Sequence, residues 1–180
     1  MVYEQGIRGK AMYLRPVETS DAKFLVEIRN DEKLSRYLHP VSLSVKAEEE
    51  WILKQRERDG DYFFMICDKE HKSLGAVRLC NIANGSGEVG SLISYGNSIQ
   101  NMEAELCVID FAFDVVGLEF LHGYTLVENR PVISYHKKFG YVYEAEEKIV
   151  DGMRVRFARL EKDVWKEKRD RIMRLIEYVG

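Results

Sequence analysis

At Met102 the hydrophobic period of the chain changes, and that change limits the topologies open to it. Just upstream, "EVGSLISYG" (88–96) reads as a strand. From Met102, the residues Met102, Leu106, Ile109, Phe113 and Val116 recur at i, i+4, i+7, i+11 and i+14, one face of a helix that Gly117 ends. "LEFLHGYTLV" then returns to strand. A strand, a helix and a strand in succession predict a parallel, right-handed pairing of the two strands. In sheets with such a unit, ligands gather at the carboxyl ends of strands beside a helix N-terminus.

The rest of the chain fits around this unit. "AMYLRP" gives a short strand, Ala11 to Arg15, stopped by Pro16. Thr19 or Ser20 can cap a helix whose apolar stripe is Phe24, Leu25 and Ile28. After a turn-like "RNDEKLSRYLHP", a second helix runs from about Ser44 to Arg58, anchored by Trp51, Ile52 and Gln55. "DYFFMICD" and "SLGAVRLCNI" are strand-like, "ANGSG" is a turn, and with "EVGSLISYG" they form an antiparallel meander. Near the end, "NRPVISYHKKFG" is a helix with Asn129 at its start and Gly140 at its stop. "YVYEAEEKIVDGMRVRFARLEK" follows as two strands turned at Asp151-Gly152. The tail, about 162–178, carries Trp165, Ile172, Leu175 and Ile176 at helical spacing, with its basic residues between them. The expected fold is therefore α/β: a mixed, mostly antiparallel seven-stranded sheet flanked by helices, in a single domain over 1–180 with a core at about 10–162.

Composition narrows the partners. A formal net charge of -3 lacks the basic excess with which nucleic-acid binders neutralise phosphate. Cys67, Cys80 and Cys107 are odd in number and show no CxxC spacing, so they read as reduced core residues and not as a metal or disulfide framework. No apolar run reaches the length of a membrane span, and "MVYEQGIRGK" has no signal-peptide core. Neither nucleic acid nor membrane is expected as a partner, no metal is expected, and a cytoplasmic location is the default.

The element order, the front "LRP" and the closing stretch with Asn129, Ile133, Lys138, Gly140 and Tyr141 resemble the GCN5-related N-acetyltransferase (GNAT) superfamily, in particular its ribosomal-protein-alanine branch. The resemblance covers roughly 10–162. Within it, "VEIRNDEKLSRYLHPVSLSVKAEEEWI" looks most like the front of acetyltransferases acting on nucleotide-linked 4-amino sugars, as in pseudaminic-acid-type biosynthesis. That resemblance implies substrate contacts for Arg29, Asn30, Tyr37 and His39, an arginine suiting a pyrophosphate and an aromatic a base. Arg29 can equally be a cation at a helix C-terminus.

The resemblance implies acetyl-CoA as co-substrate, held by two devices. Backbone of "EVGSLISYG" at Leu92, Ile93 and Ser94 would pair with pantetheine. A turn of form (R/Q)-x-x-G-x-(G/A) would present amides to the pyrophosphate. Here the two turn glycines fall on Asn97 and Ile99, leaving Gly96, Asn97, Ser98 and Asn101 as the polar candidates, with Asn129 beside them. For the chemistry, Glu88 is the candidate base, or else an ordinary strand-start carboxylate. Asp110 lies inside a helix and Glu128 borders a cap, so both are weaker. The family's usual acid, a tyrosine seven residues past the asparagine, corresponds to His136, while Tyr135 occupies a slot commonly held by leucine. An imidazolium can protonate a departing thiolate, or His136 is a plain surface histidine; Tyr135 is a second catalytic candidate, or else packs on the sheet. The expected function is acetyl transfer from acetyl-CoA to the primary amine of a small molecule, first a nucleotide-linked 4-amino-4,6-dideoxy sugar. The alternatives are acetylation of a protein N-terminus or a non-catalytic binding module. A homodimer is an allowed assembly.

Overall fold

The computed structural model describes residues 1–38 and 44–179. Among them, eight strands form one sheet: β1 (Ile7–Arg8), β2 (Met12–Pro16), β3 (Tyr62–Asp68), β4 (Ser73–Ala83), β5 (Ser86–Ser94), β6 (Phe120–Leu126), β7 (Val142–Val150) and β8 (Met153–Glu161). Their spatial order is β1-β2-β3-β4-β5-β6-β8-β7. All neighbours are antiparallel except β5 and β6, the pair joined through α4 (Ser98–Asp110). The strand beyond the expected seven is β1, whose two residues are too short to carry a period.

Alternation along β3 decides the layers. Phe64 and Ile66 point into a core shared with α4 and α6 (Lys162–Val179), whereas Met65 and Cys67 point into a second core with α1 (Ala22–Arg29) and α3 (Val45–Glu57). From α6 the first core takes Trp165, Ile172 and Ile176; Leu175, expected on the same stripe, is 41% exposed. Ser44 caps α3 through Ala47 N, close to the expected start. The front differs more. A 3-10 turn at Thr19–Asp21 with a Glu18–Asp21 capping box precedes α1, so neither Thr19 nor Ser20 is its cap. The turn-like stretch after α1 contains the single-turn helix α2 (Glu32–Ser35), capped by Asp31.

Helix α5 (Arg130–Phe139) matches its sequence signals at both ends. Asn129 Oδ1 accepts from Val132 N at 3.4 Å, Pro131 sits in the first turn, and Gly140 closes the helix at φ +100°. That conformation costs glycine little and other residues much. A β-carbon there would lie 3.0 Å from Val164 Cγ1 and 3.2 Å from Leu160 Cδ1. Gly140→Ala is expected to lower unfolding free energy by about 1–3 kcal/mol in urea titration. An unchanged midpoint would show that the junction of α5 with β7 does not depend on this turn.

Candidate active site

The parting of two strands creates the site. β5 and β6 pair over three positions only, Ser86↔Phe120, Gly87↔Leu121 and Glu88↔His122. Beyond them β6 stays bonded to β8 along its whole length and β5 stays with β4 as far as Ser94, so the two strands diverge after Glu88. A bulge adds to the divergence: Ala76 faces Ile93 while Arg78 faces Gly90, so an extra residue is accommodated on β5, with Ser91 at φ +54°. The edge of β5 from Val89 onward is thus unpaired toward β6. A cavity of about 410 Å³ fills the gap, walled by residues 88–92 of β5, residues 122–126 of β6, and Asn129, Val132, Tyr135 and His136.

Of the expected site residues, Glu88, Leu92, Asn129, Tyr135, His136, Arg29 and Tyr37 all line this cavity. Glu88 accepts from Asn81 Nδ2 at 2.9 Å, and its side chain lies over Gly90 and Gly123. Arg29 also lines an adjoining cavity of about 290 Å³ with Glu48, Trp51, Phe63 and Arg78. Burial there lowers the Arg29 pKa, and the Glu48 carboxylate opposes the shift. The side chains of three other expected residues lie elsewhere, which leaves the backbone edge expected at Ile93 and Ser94 untouched. Ile93 turns to the adjoining cavity. The Ser94 hydroxyl accepts from Gly96 N at 2.8 Å and does not line the crevice. Asn30 is the C-cap of α1 and lines neither cavity. The His39 expectation falls outside the described residues.

The start of α4 also differs from expectation. The helix begins at Ser98, four residues before the apolar stripe, so Ser98 and Asn101 belong to its first turn and not to a loop. Asn97 is the N-cap: its Oδ1 accepts from Ile99 N and Gln100 N at 3.0 Å each, and Gln100 Oε1 accepts from Asn97 N at 3.0 Å. This capping box occupies amides that a bare helix terminus would offer to an anion. Asn101 Nδ2 donates to Gly96 O at 3.0 Å, with its Oδ1 buried and unpartnered. A β-carbon on Gly96 would come within 2.9 Å of that oxygen.

Behind the crevice lies a polar group the sequence reading missed. Glu105 of α4 is 3% exposed, and burial pushes its pKa up to about 8. Its Oε1 lies 3.5 Å from His136 Nε2, a distance that counts as an ion-pair contact but is too long for a good hydrogen bond, and that oxygen has no other partner. His136 Nδ1 is 2.8 Å from the Tyr143 hydroxyl, which is 3.0 Å from Thr125 Oγ1 on the crevice wall. Burial lowers the His136 pKa to about 4. At neutral pH both partners are therefore uncharged, and the contact is not a salt bridge. The acid proton stays on Glu105, and the pair carries no charge. This corrects the expectation of an imidazolium at His136. Burial also raises the Tyr135 pKa; its hydroxyl points to Asn101 O at 3.5 Å, and its ring packs on Phe139. A signal for Glu105 did exist: it stands three residues after Met102 and four before Ile109, on the apolar stripe itself. Neighbouring Glu103, equally buried, is accounted for by the backbone amides of Lys10, Ala11 and Met12. Asp110 is likewise structural, bonded to Trp165 Nε1 at 2.8 Å and Arg169 Nε at 2.9 Å.

A model of the acetyltransferase (GNAT) domain matches residues 12–142. The chain belongs to the GNAT acetyltransferase family. Its structure is similar to that of apo FdhC, a nucleotide-linked sugar GNAT, with a TM-score of 0.84 and 26% identity over 98% of this chain and 99% of that one. A GCN5-related N-acetyltransferase from Brucella melitensis (TM-score 0.80, 20% identity, 97% and 86% covered) shares the fold. So does a spermidine N-acetyltransferase from Vibrio cholerae solved with CoA and spermine (TM-score 0.77, 20% identity, 88% and 99% covered). No curated protein matches the chain in sequence. Among the described residues of this GNAT chain, no helix is long and apolar enough to cross a membrane.

The buried pair predicts how stability varies with pH. Glu105 has a folded pKa raised above its ordinary 4.5, so its contribution is fully present below that value and is lost as pH rises toward about 8. His136 has a folded pKa lowered from its ordinary 6.5, so its contribution is lost as pH falls from there toward about 4. The two slopes cancel between 4.5 and 6.5, and above 6.5 only the glutamate slope remains. Relative to Glu105→Gln, the wild type should lose up to about 1.4 kcal/mol per pH unit from pH 6.5 to 8. Thermal melts at fixed salt check this; parallel curves for the two proteins would show that Glu105 ionises in the folded state as it does in water.

Proposed function

We propose that the chain is an acetyl-CoA-dependent N-acetyltransferase whose acceptor is the primary amine of a nucleotide-linked sugar, with a 4-amino-4,6-dideoxy sugar the first candidate. The observation that carries the transferase half is the parting of β5 from β6 after Glu88, because it leaves a strand edge free to pair with an extended amide-bearing arm. Pantetheine is such an arm. The edge at 89–94 would hold it, and the first turn of α4 would meet the pyrophosphate once the Asn97 side chain yields Ile99 N and Gln100 N. Bound there, acetyl-CoA supplies the activated acyl group.

Transfer to an amine requires that the amine lose a proton and that the leaving sulfur gain one. Glu88, on the crevice wall beside two glycines, is the residue assigned to take the amine proton. His136 is assigned to the sulfur side, where it orients the Tyr143 and Thr125 hydroxyls toward the leaving thiolate; the proton that Glu88 takes from the amine returns to the sulfur through solvent. The sugar-nucleotide half is supported by Arg29 and Tyr37 on the same cavity wall, a guanidinium suiting a diphosphate and an aromatic ring suiting a base. It is supported too by near end-to-end similarity to FdhC at 26% identity. A polyamine acceptor would favour several ionised carboxylates along the wall; of the two carboxyls lining the crevice, Glu105 is held neutral.

The specific observation favouring a non-catalytic module is the Asn97–Gln100 capping box in place of the glycine turn. Calorimetric titration with acetyl-CoA separates the two: binding is expected, and none at millimolar ligand would overturn the enzyme assignment. Given binding, His136→Ala should lower kcat by about 100-fold or more and Tyr135→Phe by only a few-fold. The reverse ranking would contradict the register that places His136 at the acid position. Screening amino-sugar nucleotides against spermidine and N-terminal peptides then tests the acceptor class, with sugar nucleotides expected to give the highest kcat/KM.

A further inference from the structure

The crevice wall contains a chain of contacts that links a buried carboxyl to the cavity surface. Glu105 Oε1 faces His136 Nε2 at 3.5 Å, His136 Nδ1 meets the Tyr143 hydroxyl at 2.8 Å, and that hydroxyl meets Thr125 Oγ1 at 3.0 Å. These four groups come from α4, α5, β7 and β6, so four elements converge on one line. The other titratable groups that face Glu105 are Tyr135 and His136 from α5 and Tyr141 and Tyr143 beyond it; Glu88 of β5 lines the same crevice and acts on Tyr141. Among the described residues, His136 is the sole basic group within ion-pair distance of its carboxyl.

From this geometry we infer that Glu105 is a positioning residue for the transfer reaction, setting which nitrogen of His136 carries the proton and thereby the direction of the hydrogen bonds that end at Thr125. The inference rests on the assignment of the crevice as the transfer site. A protonated Glu105 that closes the 3.5 Å separation donates to Nε2 and so requires the hydrogen on Nδ1. Nδ1–H then donates to the Tyr143 oxygen, and Tyr143 O–H donates to Thr125 Oγ1, leaving the threonine hydrogen to point into the cavity. If Glu105 loses its proton, its carboxylate accepts from Nε2–H, and Nδ1 becomes an acceptor for Tyr143 O–H. The whole line reverses. The carboxyl proton is the one removed, and it leaves to solvent; no other bond is made or broken. The Tyr135 hydroxyl, which also hydrogen-bonds the Glu105 side chain, favours the ionised form. Burial sets the crossover near pH 8.

Long-range proton–nitrogen spectra of protein labelled at its histidine rings read the tautomer of His136 directly and need neither acetyl-CoA nor an acceptor. The Nδ1–H form is expected at pH 7, changing to Nε2–H with a midpoint near 8. In Glu105→Gln the side-chain amide still donates to Nε2, so the Nδ1–H form should persist through pH 9. In Glu105→Ala the preference should be lost at all pH values, and the glutamine variant should recover most of any kcat the alanine variant loses. An Nε2–H form at pH 7 in the wild type, or an unaltered tautomer in Glu105→Ala, would overturn the inference. If Glu105→Ala does not fold, the comparison of wild type with Glu105→Gln between pH 6 and 9 decides it alone, a change of tautomer in both proteins being contradictory. In the enzyme, kcat of the wild type should fall several-fold across the same interval while that of Glu105→Gln stays flat. A protein that shows the tautomer change but no turnover would instead contradict the transferase assignment and leave the hydrogen-bond switch standing.

Discussion

Everything functional here follows from two strands that cannot stay together. β5 and β6 are the one parallel pair in the sheet, and their ladder lasts three positions. β6 is committed to β8 over seven residues, and β5 is committed to β4, with a bulge that bends it away. Parallel ladders are slightly weaker per residue than antiparallel ones, so the pairing that fails is the weakest one available. The cost is a length of unsatisfied strand edge, which is costly when buried and useful when a ligand supplies the missing partners.

The crevice needs a floor, and that floor is where the electrostatics become unusual. α4 lies behind it, buried nearly all round between Glu103 and Ile109. A carboxyl on its inner face resists ionisation at neutral pH when no partner charge stands by, and the nearest base, His136, is itself held neutral by burial. The consequence is a pair with no charge, in contact through Tyr143 with a threonine on the cavity wall. Glu103, two residues earlier and just as buried, shows the other solution: three backbone amides from the β1–β2 turn satisfy its carboxylate.

Much of this was legible in the sequence where local chemistry was strong. Asn129 and Gly140 marked α5 to the residue, and Asp151-Gly152, both at positive φ, marked the turn between β7 and β8. The change of period at Met102 foretold the parallel pair. It misplaced the helix start because the first turn of α4, Ser98 to Asn101, is almost wholly polar and is held by a cap rather than by burial. β1 and α2 were too short to show any period. Register within α5 put His136 toward the site and Tyr135 against the sheet, whereas both line the crevice, and register is silent on what stands behind them. Glu105 was visible as a carboxylate on an apolar stripe, whereas its contact with His136 joins residues 31 apart and depends on how α4 and α5 pack.

Amide hydrogen exchange with and without acetyl-CoA tests the central claim most directly, because it reports on the strand edge itself. Crevice-facing amides of residues 89–94 should become strongly protected on binding, with smaller changes at the first turn of α4 and none in the part of β6 bonded to β8. Binding that leaves the exchange of 89–94 unchanged, or that protects a different surface, would contradict the account.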